Sequence, residues 1–392
     1  MSTKKGTEKL QAKLVLEDGS EFTGWGFGKE RSVAGEVIFY TGMSGLVQAI
    51  TDPGCKGQIF VCTWPIAGNC GVPVNKNGAP FFDENNLPVI LESEKIQAAG
   101  LIISDLCEQP SHYSSKLSLS AWLEKGKIPG IYGIDTRAVA IRLREKGTMR
   151  GKILVENKSK QGEKKTSGEQ LQFSDVSLNK INLSNKDGIS LKEIKTYIPS
   201  AKKSGVKIAL IDCGVKANVI RCLLDRGAEV VRIPCNMDFN PADYNGIIIS
   251  NGPGDPKEYK KLIEAVKKAL TVSKPVFGIG LGNLILALAA GAGTYKLLFG
   301  HRGQNQPCYE TTALPDQRCY ITTQNHSYAV KTDTLPKGWD HWFTNANDGT
   351  IEGIKCDNKP FMGVQFNPEG CPGSRDTEFL FDRFLKQAKE SK

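Results

Sequence analysis

Residues 275–288 read PVFGIGLGNLILAL: an apolar run, a glycine-punctuated turn, then a leucine- and alanine-rich helical pattern. An α/β enzyme presents a nucleophile on such a strand-to-helix turn, with glycines two residues to either side of the reactive side chain. Gly278 and Gly282 hold the flanking positions, but Gly280 between them has no side chain to react with. A dinucleotide-binding turn would use these glycines differently. GIGLGN starts like GxGxxG, yet Asn283 takes the third glycine position, and the first acidic residue downstream is Glu310, far beyond the spacing a ribose partner needs. A helix start that simply needs a tight backbone is the plain structural alternative.

The elements around the turn follow from hydrophobic periodicity. From about residue 205 the chain alternates regularly: VKIALID as a buried strand, GVKANVIRCLLDRG as a helix, AEVVRIP as a strand, then NGIIISNGPGDP as a strand running into a glycine loop. KKLIEAVKKAL reads as the next helix and PVFGIG as the next strand. Such alternation with short connections predicts a doubly wound, mostly parallel sheet covered on both faces. Ligands of these sheets bind beyond the carboxyl ends of the strands, where NGPGDP and GIGLG both lie. Residues 1–155 mix strand-like runs with the helical pattern TRAVAIRLREKG and predict a separate N-terminal α+β or layered β domain. Residues 156–204 are polar and lysine-rich and read as a linker, leaving 205–392 as the α/β domain.

Composition narrows the function classes. Apolar content of 40% and charged content of 24% are those of a globular protein, and no apolar run reaches membrane-helix length. The N-terminus has neither the apolar core of a secretory signal nor the arginines of a mitochondrial transit peptide, so a cytoplasmic location is expected, or a mitochondrial one if the chain is part of a longer precursor. Eleven cysteines without CxxC spacing fit free thiols in a reducing compartment, and no metal site is expected. Lysines are dense in residues 156–203, and the net charge of +9 has no nucleic-acid signature beside it, so no nucleic-acid or membrane partner is expected.

Other segments turn the elbow into a family resemblance. SNGPGDP (250–256), HRGQNQP (301–307), TTQNHSYAV (322–330) and GVQFNPEG (363–370), in this order around GIGLGN, resemble the glutamine amidotransferase half of carbamoyl phosphate synthetase. That family reads GICLGHQ at the elbow, HRGGNHP and QNHGYAV later, and VQFHPE near its end. In the first domain, FYTGMSGLVQAITDP looks like the family's FNTxMTGYQExxTDP, and IYGIDTRAVAIRLREKGTM like its IxxIDTRxLxxxLRxxG. GNLILALAAGAGTYK, RGQNQP and DTEFLFDRF look most like the animal, ammonia-dependent members. The resemblance spans essentially the whole chain outside the linker and the first dozen residues.

In the resembled enzymes a cysteine thiolate attacks the glutamine amide, a histidine manages protons and a glutamate orients the histidine. Those positions fall on Gly280, Asn367 and Glu369. Glycine has no nucleophile and an asparagine amide is no general base, so the resemblance implies a vestigial triad. Losing a triad costs about 10⁶-fold in rate. The family's glutamine pocket maps onto Gly54, Gly252, Gly254, Leu281, Leu284, Asn325, Ser327 and Tyr328. Of these, Gly54, Leu284 and Ser327 replace the family's serine, glutamine and glycine. The backbone N–H of Leu281 and one from the 252–254 loop would form its oxyanion hole. Cys213 and Cys371 read as packing or surface thiols, and none of the four histidines lies in GVQFNPEG.

Three readings follow: a non-catalytic scaffold or regulatory partner of an ammonia-using synthetase, a residual glutaminase, or a stand-alone binding protein reusing the cleft. In the first, the partner is the large synthetase subunit or its domains. No P-loop or kinase-like motif appears here, so this chain is expected to hold no cofactor, and ATP and Mg²⁺ are expected only in that partner.

Overall fold

A computed structural model describes residues 10–156, 188–200, 203–311 and 318–391. Most of the expected linker therefore lies outside the described residues. Cα proximity divides the chain into two units, each described separately.

The first unit is built on a closed barrel. Its strands are β1 (Gln11–Leu16), β2 (Glu21–Gly28), β3 (Val33–Tyr40), β4 (Gln58–Cys62), β5 (Gly100–Ile102), β6 (Pro129–Tyr132) and β7 (Met149–Val155), in the order β1-β2-β6-β5-β4-β3-β7. β1 shows why: QAKLVL buries every second residue, and Ala12, Leu14 and Leu16 enter a core with Val37, Ile59, Ile131 and Ile153. Barrel closure leaves no open sheet edge.

The second unit centres on a ten-stranded sheet in the order β14-β13-β15-β16-β17-β12-β11-β9-β10-β8. β9 (Lys207–Asp212), β10 (Glu229–Pro234), β11 (Gly246–Ile249), β12 (Val276–Ile279) and β17 (Phe361–Val364) pair in parallel, as the alternation predicted. The flanks are antiparallel: β8 (Lys195–Tyr197) on one side, and β13 (Thr294–Glu310), β14 (Cys319–Val330), β15 (Trp339–Asn345) and β16 (Ile351–Cys356) on the other. β8 lies within the 156–204 stretch read as a linker, where residues 195–197 add an edge strand to the sheet.

Both faces of the parallel strands are covered, which explains their unbroken apolar character. In β9, Ile208 and Leu210 point into one cluster with Val219 and Leu223 of α4 (Ala217–Asp225) and Phe381 and Phe384 of α7 (Phe379–Glu390). Ala209 and Ile211 point the other way, toward Leu262 and Val266 of α5 (Lys260–Ala269) and Ile285 of α6 (Leu281–Ala290). Two early segments, Gly42–Lys56 and Phe82–Gln97, belong to this second unit although they lie within the first 155 residues. They matter below, because each supplies a side chain to the site. Among the described residues no helix is long and apolar enough to cross a membrane.

Candidate functional site: the β12–α6 elbow

Strand order places three segments together at the carboxyl edge. β12 lies between β11 and β17, so the turn after Ile279 is flanked by the loop leaving β11 (Ser250–Gly254) and the segment leaving β17 (Gln365–Gly370). Gly280 N donates to Val364 O at 2.8 Å, and Gly280 O accepts from Asn283 N at 3.1 Å as α6 begins. A Cβ on Gly280 would stand 3.3 Å from Asn251 Cβ and 3.8 Å from Gln365 O. The elbow thus faces both neighbouring segments.

Gly280 adopts φ 57°, ψ −111°. An L-residue held there pays roughly 1–3 kcal/mol of backbone strain, which glycine avoids. Gly280→Cys is therefore expected to lower the melting temperature, and thermal unfolding of the two proteins checks it. A clear rise would sink the strain argument.

Gly252 is demanded by close approach: a Cβ there would lie 2.2 Å from Cys213 O and 3.0 Å from Leu281 Cδ2. The same distances put the 252–254 loop directly against the start of α6, so the two backbone segments assigned to an oxyanion hole are neighbours. Gly254 follows at φ 90°. Leu281 and Leu284 are buried in the apolar cluster on α6's face, and Tyr328 packs against that cluster.

The remaining pocket residues converge from β14 and the early segment. Asp52 accepts from Gly54 N at 2.8 Å and from Asn325 Nδ2 at 3.2 Å, joining Gly54 to Asn325 through one carboxylate. Ser327 Oγ accepts from the guanidinium of Arg302. Asn367 is anchored by its backbone, its N donating to Thr323 O at 2.9 Å.

Glu369, the third vestigial triad position, is fully buried, and its carboxylate meets Lys216 Nζ at 2.8 Å. Lys216, the residue before α4, also donates to Gly370 O at 2.9 Å. Asn218 Nδ2 donates to Glu369 O at 2.6 Å. A second buried carboxylate, Glu92 from the Phe82–Gln97 segment, accepts from Asn218 N at 3.1 Å and lies 3.4 Å from Arg221. Burial pushes both carboxyls above the usual range, opposed chiefly by the charge of Lys216. Burial works against the Lys216 ammonium too, but Glu369 and Glu92 outweigh it and hold its pKa above the ordinary value. The Cys371 thiol, pushed up to about 12 by burial and then by Glu92, is bonded to that same carboxylate, so it is a neutral packing thiol. Lys216 and Glu92 escaped the sequence reading. The signal for Lys216 was a single lysine inside the apolar run LIDCGVKANVI; Glu92 had none.

A second polar cluster lies along β13, β14 and β16. His301 bonds Glu352 through Nδ1 at 2.9 Å and Asp348 through Nε2 at 2.8 Å. His326 uses Nδ1 on Tyr328 O at 2.9 Å, and its Nε2 lies 3.2 Å from Gln324 Oε1 and 3.5 Å from Glu352. Among the described residues, His301, His326 and Glu352 are of metal-ligand type and close together, with ligating atoms within 4.8 Å of one another. Every ring nitrogen already faces a protein partner, so an ion-pair network accounts for the arrangement.

Comparison with known proteins identifies the two units. Residues 14–153 match the model "Carbamoyl-phosphate synthase small chain, CPSase domain", and residues 209–387 match "Glutamine amidotransferase class-I". The chain thus carries a carbamoyl-phosphate synthase small-chain domain followed by a class-I glutamine amidotransferase domain. It is 44% identical over 387 residues to multifunctional protein pyr1-3 of Dictyostelium discoideum, covering 95% of this chain and 17% of that protein. It is 44% identical over 398 residues to multifunctional protein URA2 of Saccharomyces cerevisiae, covering 97% and 18%. With the mitochondrial carbamoyl-phosphate synthase [ammonia] of Homo sapiens it shares 45% identity over 383 residues, covering 97% and 24%. The chain therefore spans about a fifth of the length of these relatives. The elbow, the 252–254 loop and the 365–370 segment all lie within the residues that match the amidotransferase model.

Proposed function

We propose that this chain is the amidotransferase-type region of a carbamoyl phosphate synthetase and no longer hydrolyses glutamine. In this reading it serves as a scaffold or regulatory partner of synthetase domains that draw on free ammonia. ATP and Mg²⁺ act in those domains. The observation that carries the reading is the elbow: Gly280 stands at φ 57° with no side chain, and the neighbouring segment offers Asn367, an amide that takes up no proton near neutrality. Overall identity does not choose between glutamine- and ammonia-using relatives, since it is 44–45% to the multifunctional proteins and to the protein named for ammonia alike. The residues at the turn favour the second. Glu369 supports it too, because its carboxylate is committed to Lys216.

The test is glutamate release from glutamine by the purified chain, alone and with a matching synthetase. The expected result is no release above the no-protein control, together with carbamoyl phosphate formation from ammonium by the complex. Gly280→Cys/Asn367→His restores a thiol and an imidazole and is expected to give only weak release, since Gly54, Leu284 and Ser327 depart from the family's glutamine pocket. Release by the parent would mean that a different nucleophile is at work and the reading is wrong.

A further inference from the structure

Two of the eleven cysteines are brought together by strand register. β9 and β10 pair in parallel with Asp212 opposite Pro234, so the next residues on the two strands are Cys213 and Cys235. Neighbouring strands run about 4.8 Å apart, inside the roughly 4.4–6.8 Å Cα separation that a disulfide spans. In-register residues project to the same face, and both side chains do so here: Cys213 lies in the apolar cluster of that face and Cys235 packs against its edge. The two thiols influence each other's titration, and both are free. Cys213 is buried while Cys235 is partly exposed, so one is reachable and the other waits behind it.

We propose that Cys213 and Cys235 form a redox-modification site, closed to a disulfide by an oxidant of the hydroperoxide class. The Cys235 thiolate attacks a peroxide oxygen; the O–O bond breaks, and the departing hydroxide takes up a proton as water. Cys235 is then a sulfenic acid, oxidised by two electrons as the peroxide is reduced. The Cys213 sulfur attacks the Cys235 sulfur; the S–S bond forms, the S–O bond breaks, and hydroxide leaves with the Cys213 proton as a second water. Two thiols and one hydrogen peroxide thus give one disulfide and two waters.

The surroundings prepare this division of labour. The hydrogen bond from Cys213 brings the Cys235 thiol down to about 7, against the effect of burial and with help from Ser190. The Cys213 thiol is held well above its ordinary value by that same bond, by burial and by the nearby Cys235 and Asp212 charges. Cys235 is the accessible partner of the pair, so it is the sulfur that an oxidant reaches first. The pair also borders the cleft. Cys213 N donates to Ser250 Oγ at 3.0 Å, Cys213 O abuts Gly252, and Tyr259 donates to Pro253 O at 3.0 Å beside the two sulfurs.

The experiment treats the 392-residue chain with stoichiometric hydrogen peroxide, counts free thiols after denaturation and maps the cross-link by peptide mass spectrometry. The expected result is loss of two of the eleven thiols with a 213–235 linked peptide. Cys235→Ser should abolish both changes. Cys213→Ser should leave Cys235 as a sulfenic acid that dimedone captures, a readout that does not depend on the bridge. Retention of all eleven thiols, a cross-link mapped to other cysteines, or no dimedone adduct on Cys235 in folded Cys213→Ser would overturn the proposal.

Discussion

Lys216→Met is expected to destabilise the protein by about 3–5 kcal/mol at pH 8, the range for removing one partner of a buried ion pair. The side chain is only 1% exposed, and its ammonium is the charge that Glu369 and Glu92 share. Methionine fills a similar volume, so the loss is electrostatic rather than a cavity. The pH dependence separates these causes. Both carboxyls have folded pKa values raised by burial, and removing Lys216 takes away what opposed that rise. A group with a raised folded pKa stabilises fully below its unfolded value and loses that contribution as pH rises through the folded one. The variant's deficit should therefore be smaller near pH 5, where the carboxyls take up protons, than near pH 8. Urea unfolding at both pH values checks it. A deficit below about 1 kcal/mol, or one that grows toward acid, would overturn the argument.

How much of this was legible in the sequence depends on how local the cause is. The elbow and the parallel strands were readable, because a buried strand is a short apolar run and a tight turn is a glycine pattern. The positive φ of Gly280 fits the same local logic. Barrel closure was not readable, since it depends on which of seven short strands find each other. Lys195–Tyr197 was hidden because an edge strand in a lysine-rich stretch has a weak apolar signature. HRGQNQP and QNHSYAV were read as family motifs, whereas physically they belong to long antiparallel strands whose polar residues bond to one another. The larger gap is charge. Charged side chains are expected outside, and nothing local announces that Lys216, Glu92, Glu369 and Glu352 pair inside. Asn251 belongs with them: its buried amide has no hydrogen-bond partner among the described residues, and its Cβ faces the elbow.

The His301–Glu352 cluster gives the second large effect, with the opposite pH signature at its two ends. Burial would raise the Glu352 carboxyl, but the electrostatic influence of His326 and hydrogen bonds from both imidazoles bring it down to about 2. Its stabilisation is present above the unfolded value near 4.5 and is lost as pH falls toward 2. Burial would lower the His301 pKa, but Glu352 and Asp348 outweigh it and raise it. That contribution is complete below the unfolded value near 6.5 and fades as pH rises through the higher folded value. Between about 4.5 and 6.5 both terms stand, and this is where the cluster holds β13, β14 and β16 together most firmly. Glu352→Gln keeps the shape but removes the buried charge, with an expected loss of about 3–5 kcal/mol at pH 6. It should also flatten the decline in stability between pH 6.5 and 8, since the His301 pKa falls once its first partner is neutral. An NMR titration of the His301 imidazole in parent and variant reads that fall directly. An unchanged His301 midpoint would show that Asp348 alone sets the charge, and the cluster would then be two independent hydrogen bonds rather than one coupled network.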